Sequence, residues 1–223
     1  MIFDIIRDGF SVNLIVNLFA RVFVVFCVLP IHEFAHAFVA DKLGDGTPRL
    51  NGRLTISPLA HLDLLGAIMI FIAGFGYAKP VSINPRNFKN PKVGMAITAL
   101  AGPASNLIMA LISLLIANIA GAVGGTSSVV AYAAYYFFYY AASINVSLAV
   151  FNFIPIPPLD GSRILNVILP GKYYFKIMKY ERYIIYGVFI LILTGVLNIP
   201  LGFISGWIMR GLSFIAGLPF RLF

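Results

Sequence analysis

The chain has 223 residues, of which 60% are hydrophobic and only 11% are charged, and its mean hydropathy is +0.93. Soluble domains carry about 25% charged residues, so this composition excludes an ordinary soluble domain and predicts one membrane bundle over residues 1–223. The net charge of +8 does not indicate nucleic-acid binding. The basic residues lie in short loops beside apolar segments, where they set orientation and meet anionic lipid head groups. The lone Cys27 excludes an intrachain disulfide, and the first residues lack the basic region of a cleavable signal peptide.

Several apolar segments are long enough to cross a hydrocarbon core about 30 Å thick. The sequence therefore predicts an all-α polytopic membrane bundle of about five to six transmembrane helices, in the cell membrane. The predicted spans are 11–41, 93–121, 128–152, 183–198 and 200–220, and a shorter apolar segment covers 62–77.

The distribution of Lys and Arg predicts how the bundle is oriented. Basic residues fill 42–53 and 79–92, so both loops are expected on the cytoplasmic side. A segment between two loops on one side cannot be a single crossing, and 62–77 is therefore predicted to be re-entrant. Short alternating patterns at 50–56 and 81–84 predict small membrane-associated β-strands beside it.

The first span contains the motif His32-Glu33-Phe34-Ala35-His36, an HExxH sequence. An α-helix turns once every 3.6 residues, so His32 and His36 lie on one face, where two imidazoles can share a Zn²⁺ ion. Glu33 beside them is positioned to act as a general base. The alternative is that these three residues have only a structural role and make internal hydrogen bonds. However, an ionisable Glu33 at membrane depth costs free energy, which favours a functional role.

A catalytic zinc site needs a third protein ligand and an open fourth position. Among the other histidine and acidic residues of the chain, the candidates for this third ligand are His61, Asp63 and Asp160. Asp160 follows a run of three prolines in four residues, which ends a helix and exposes backbone groups next to a carboxylate. The alternative, structural role for Asp160 is to cap the N-terminus of a helix that starts near Gly161. His61 is the other candidate for the third ligand, and its alternative, structural role is to cap a helix or to make hydrogen bonds within the protein.

Together these motifs resemble the site-2 proteases, the intramembrane zinc metalloproteases, in their compact prokaryotic form. The resemblance covers nearly all residues from His32 to Arg163. It rests on HEFAH and on GDGTP at 44–48, GRLT at 52–55, HLD at 61–63, AKPV at 78–81, AGPASN at 101–106 and the run 152–161. Ser57 and Leu64 depart from the usual pattern, which commonly has Asn and Pro there, so they put substrate entry in doubt more than metal binding.

The resemblance implies a zinc-dependent endopeptidase that cleaves in or near transmembrane segments of other proteins. It implies that His32, His36 and Asp160 bind one Zn²⁺ per chain, that Glu33 is the general base and that Asn152 steadies the oxyanion. The two predicted strands are expected to hold an unwound substrate by β-addition. An intramembrane zinc transporter and an inactive relative that binds membrane proteins are the alternatives. The sequence leaves the substrate and the oligomeric state open.

Overall fold

The structure, a computed structural model, describes residues 12–61, 63–65, 68, 79–124 and 128–221. Ten α-helices lie within these residues: α1 (Val12–Phe23), α2 (Leu29–Lys42), α3 (Thr47–Leu50), α4 (Pro58–His61), α5 (Pro91–Gly124), α6 (Val129–Phe153), α7 (Gly161–Ile168), α8 (Gly171–Lys179), α9 (Glu181–Leu193) and α10 (Asn198–Arg221). A five-residue π-helical turn, Val24–Val28, joins α1 to α2, and a 3₁₀ turn covers Pro85–Asn87.

Four helices of the described part are long and apolar enough to cross a membrane: Val12–Lys42, Pro91–Gly124, Val129–Phe153 and Asn198–Phe220. They agree with four of the predicted spans and make the chain a multi-pass membrane protein. The predicted span at 183–198 differs. Its helix, α9, has 13 residues, which corresponds to about 20 Å at 1.5 Å per residue and is shorter than the hydrocarbon core.

Helix α5 lies at the centre of the bundle, where it packs against α2, α6, α7 and α10. Alanines lie in both core clusters of the bundle: Ala20 and Ala141 belong to the cluster between α1 and α6, and Ala110 and Ala142 belong to the cluster between α5, α6 and α10. Without a hydrophobic driving force between helices in lipid, such small residues allow close backbone approach. The side-chain amide of Asn118 donates to the carbonyl of Ala216 at 3.0 Å, so α5 and α10 contact each other in their C-terminal parts.

The predicted small strands are not confirmed in the part of the chain that the structure describes. Leu50 ends α3, and turns and bends follow it to residue 55. Residues 81–84 form no ladder, and two of their amides instead bind carboxylates: Val81 N–H donates to Glu33, and Asn84 N–H donates to Asp45. The predicted re-entrant segment 62–77 lies largely outside the described residues.

Candidate metal centre

The two histidines of the HExxH motif lie on α2 and are buried, with 5% of each exposed. They occupy the last third of the span that begins at Val12, and His32 is ten residues before the end of α2 at Lys42. At 1.5 Å per residue, this places His32 about 15 Å from that end of the bundle. The imidazoles are one helical turn apart, and their Nε2 atoms are separated by 3.1 Å.

Asp160 approaches these histidines from the connection between α6 and α7. Helix α6 ends at Phe153, just before the prolines, and α7 begins at Gly161. Asp160 occupies the N-cap position of α7, but its side chain makes no capping hydrogen bond. Its Oδ2 instead lies 3.2 Å from His36 Nε2 and 3.3 Å from His32 Nε2, so the carboxylate is turned toward the imidazoles.

A glycine allows this approach of the α6–α7 connection. A Cβ on Gly161 would lie 2.6 Å from the carbonyl oxygen of Ile154 and also overlap the carbonyl of Phe153. Any larger residue at this position would therefore push the start of α7 away from the end of α6. Since Asp160 is the preceding residue, its carboxylate would move with it.

The three ligand atoms form a nearly equilateral triangle with sides of 3.1, 3.2 and 3.3 Å. Zinc bound tetrahedrally by nitrogen and oxygen at about 2.0–2.1 Å separates its ligands by about 3.3 Å. Two imidazole lone pairs and a carboxylate repel one another at such distances unless a cation or a proton lies between them. The donor set and its spacing therefore fit zinc, and among the described residues this is the only such group of three.

Helix α5 orients His36 through a backbone carbonyl. His36 Nδ1 lies 2.7 Å from the carbonyl oxygen of Thr98, and both are buried. A carbonyl only accepts, so Nδ1 carries the proton and the lone pair of the neutral ring is on Nε2, which faces Asp160. The same helix presents Gly102 to the imidazoles: a Cβ there would lie 2.6 Å from His32 Nε2 and still closer to His36 Nε2.

Glu33 is buried beside the histidines, and 9% of it is exposed. Its Oε2 accepts a hydrogen bond from the backbone N–H of Val81 at 3.2 Å. A single such bond orients the carboxylate and leaves its other oxygen available for a further proton. The segment after residue 78 is thereby held against the motif helix.

The other predicted site residues supply no ligand atom to this triangle. Asn152 is half-buried in the last turn of α6, and the described residues include no hydrogen-bond partner for its side chain. His61 ends α4, where its Nε2 lies 2.7 Å from the carbonyl oxygen of Thr55. His61 and Asp63 are not part of the group formed by the three ligand candidates.

Sequence reasoning missed Asp45, a fully buried carboxylate in the loop after α2. It accepts hydrogen bonds from Thr47 Oγ1 at 2.6 Å and from the Asn84 amide and the Asn87 side chain at 2.7 Å each. Burial opposes ionisation, but these hydrogen bonds outweigh it and lower the pKa of Asp45 below its ordinary value. Asp45 thus ties the end of the motif helix to the segment that contacts Glu33. The prolines and glycines around both segments give no sign of this pairing.

Comparison with known proteins agrees with this geometry. The sequence model described as "Peptidase family M50" matches residues 20–195. The chain belongs to peptidase family M50. The resemblance to the site-2 proteases is therefore confirmed, and the family supports a metalloprotease.

Two curated relatives are also named as zinc metalloproteases. The chain is 38% identical over 180 residues to "Putative zinc metalloprotease YwhC" of Bacillus subtilis, covering 80% of each chain. It is 28% identical over 201 residues to "Putative zinc metalloprotease Rip2" of Mycobacterium tuberculosis, covering 87% of this chain and 73% of the relative. No solved structure matches. These relatives support zinc as the metal.

Proposed function

We propose that this M50 chain is a zinc-dependent endopeptidase that hydrolyses peptide bonds in or near transmembrane segments of other proteins. The observation that carries the proposal is the triangle formed by His32, His36 and Asp160 inside a membrane-spanning helix bundle. A soluble substrate would have no access to a site about 15 Å inside the bundle unless its chain entered the membrane region.

The chain's own residues have defined roles in this reaction. His32, His36 and Asp160 would hold one zinc ion, which when bound supplies a Lewis acid that lowers the pKa of water and polarises a peptide carbonyl. Glu33, oriented by the Val81 amide, takes the proton of the attacking water and returns it to the leaving amine. The hydrogen bond from His36 to Thr98 holds its ring in the tautomer that ligation needs.

Asn152 completes the proposed site as an oxyanion donor. It precedes the proline break by three residues and Asp160 by eight, so a short connection joins the end of its helix to the ligand. An amide N–H that donates to the developing oxyanion acts mainly in the transition state. The proposed substrate is a transmembrane protein or peptide. The zinc-transporter alternative gains no support from the family or from its relatives.

Glu33→Gln tests the proposal. The substitution keeps the shape and a hydrogen-bond acceptor for the Val81 amide but removes the base, so we expect zinc content to be retained. Loss of a general base typically lowers the rate about 10²–10⁴-fold. The assay is cleavage of a panel of model transmembrane substrates in liposomes beside elemental analysis, with Glu181→Gln, at the start of α9, as the matched control. Cleavage by Glu33→Gln at the wild-type rate would refute the proposed mechanism, and a wild-type protein that binds zinc but cleaves no substrate would favour the inactive-relative alternative.

A further inference from the structure

Helix α10 carries a positive charge at its centre. Arg210 follows Asn198 by twelve residues and precedes Arg221 by eleven, so it lies about 17–18 Å from either end of the helix. This helix is one of the four that can cross the membrane. A guanidinium group stays protonated in proteins. Placing this charge at the middle of a bilayer costs free energy, so its presence there indicates a function.

Neighbours on the same helix satisfy only part of this side chain. Arg210 Nε donates to the carbonyl oxygen of Gly206 at 3.3 Å, and the guanidinium carbon lies 4.7 Å from the centre of the Trp207 ring. Neither contact neutralises the charge, and no ion pair joins Arg210 to a carboxylate of the described residues. The guanidinium therefore keeps donors for an anionic group.

Arg210 lines a cleft of about 660 Å³ between α6 and α10. Hydroxyl groups from both helices line the same cleft, together with glycines that leave the backbone of α10 open to approach. The four serines are Ser143, Ser147, Ser205 and Ser213, and the glycines are Gly202 and Gly206. Serine and glycine at a helix surface in lipid favour close packing and hydrogen bonding with another helix.

The cleft is separate from the candidate metal centre. Ser143 and Asn152 are nine residues apart on α6, which corresponds to a rotation of about 180° at 100° per residue. Asn152 is the residue proposed to face the scissile carbonyl, so Ser143 lies on the opposite side of α6 from the proposed catalytic position. A ligand in the cleft would not occupy the catalytic position.

We infer that the cleft between α6 and α10 binds a transmembrane helix of another protein that carries Asp or Glu near its middle. A carboxylate on such a helix reaches the depth of Arg210, whereas a lipid phosphate lies near the membrane surface. A second copy of this chain does not supply the carboxylate from its described spans. Their acidic residues are Glu33, at the metal centre, and Asp41, which pairs with Arg49 at 2.6 Å. The inference is independent of proteolytic activity.

Disulfide cross-linking to a designed helix tests this inference. The full chain, with Cys27→Ser and Ser147→Cys, is reconstituted in zwitterionic vesicles with a synthetic Leu/Ala helix that carries one cysteine and one central Glu. A matched helix carries Gln instead. We expect the Glu helix to cross-link at least tenfold faster than the Gln helix. A chain with Ile108→Cys, on an exposed position of α5, is the control and should show no preference.

Variants of Arg210 separate charge from packing. Arg210→Gln should reduce the preference for the Glu helix below twofold, and Arg210→Lys should retain it. Equal cross-linking of the two helices to the otherwise unchanged cleft would overturn the inference whether or not Arg210→Gln folds, and so would a failure of either helix to cross-link. If phosphatidylglycerol in the vesicles abolishes the preference by occupying the cleft, the site binds lipid phosphate and the inference is also wrong.

Discussion

Gly102 is the position at which one added methyl group would test the metal centre most directly. A Cβ there would lie 2.6 Å from both Cε1 and Nε2 of His32, whereas ordinary van der Waals contact begins at 3.4 Å. To accommodate Gly102→Ala, the ring of His32 or the backbone of α5 must therefore move by at least the difference, which is 0.8 Å, and the ring of His36, whose Nε2 lies still closer, must move further. Zinc–ligand distances vary by only about 0.2 Å, so a shift of this size breaks the ligand triangle.

Two opposing effects set the stability of the zinc-free variant. Alanine favours a helix interior over glycine by about 1 kcal/mol, and overpacking a tight contact costs about 1–3 kcal/mol. The zinc-free protein should thus lose about 0–2 kcal/mol. Zinc affinity should fall much more, about 100-fold or beyond, because weaker disturbances of ligand orientation already cost 10–100-fold.

The assay compares zinc stoichiometry and affinity with thermal unfolding, in the presence and absence of a chelator. Gly211→Ala is the matched control, since it is the same substitution inside α10 and its Cβ would have no neighbour within 4 Å. It should bind zinc as the wild type does. If folded Gly102→Ala binds zinc with wild-type affinity, the inference that this glycine accommodates the metal-facing edges of the imidazoles is wrong.

We expect three further outcomes for substitutions at and around the metal centre. Asp160→Ala should lower zinc occupancy while His61→Ala leaves it unchanged, and elemental analysis that gives the reverse would move the third ligand to His61. A folded, zinc-loaded Asn152→Ala should lose turnover by a factor equivalent to about 3–4 kcal/mol with little change in substrate affinity, and unchanged turnover in single-turnover kinetics would remove its catalytic role. Asp45→Asn should destabilise the protein by about 1.5–3 kcal/mol, against less than about 1 kcal/mol for the ion-paired Asp41→Asn. Because the pKa of Asp45 is lowered, its contribution should be complete at neutral pH and disappear only as the pH falls below the ordinary value of 3.8, which denaturant titrations at several pH values measure.

Helical periodicity and hydropathy carried most of the correct prediction of the fold. The spacing of His32 and His36 places both rings on one face whatever the tertiary structure, and long apolar runs leave few alternatives to a transmembrane helix. Span 183–198 was harder, because hydropathy does not locate the end of a helix. The structure ends α9 at Leu193, and the chain turns at Gly195, whose φ of 73° favours glycine.

The β-strand prediction is not confirmed, for a different physical reason. An alternating pattern over four to seven residues shows that a segment is extended or half-buried, but not which acceptors its amides meet. Here the acceptors for Val81 and Asn84 are the carboxylates of Glu33 and Asp45, which are 48 and 39 residues away in the chain. The same kind of long-range contact joins His36 to the Thr98 carbonyl, 62 residues away. Local sequence gives no signal for a backbone acceptor on another helix.

Under the proposed endopeptidase function, the position of His32 about 15 Å from the Lys42 end of α2 determines which bond of a substrate is reached. A substrate helix that stayed fully wound beside α2 would present a bond about ten residues inside the level of Lys42. An extended segment rises about 3.3 Å per residue, so an unwound substrate would present a bond only four or five residues inside. If the protein acts as proposed, the number of residues between the cleavage position and the level of Lys42 measures how much of the substrate helix has unwound when it is cut.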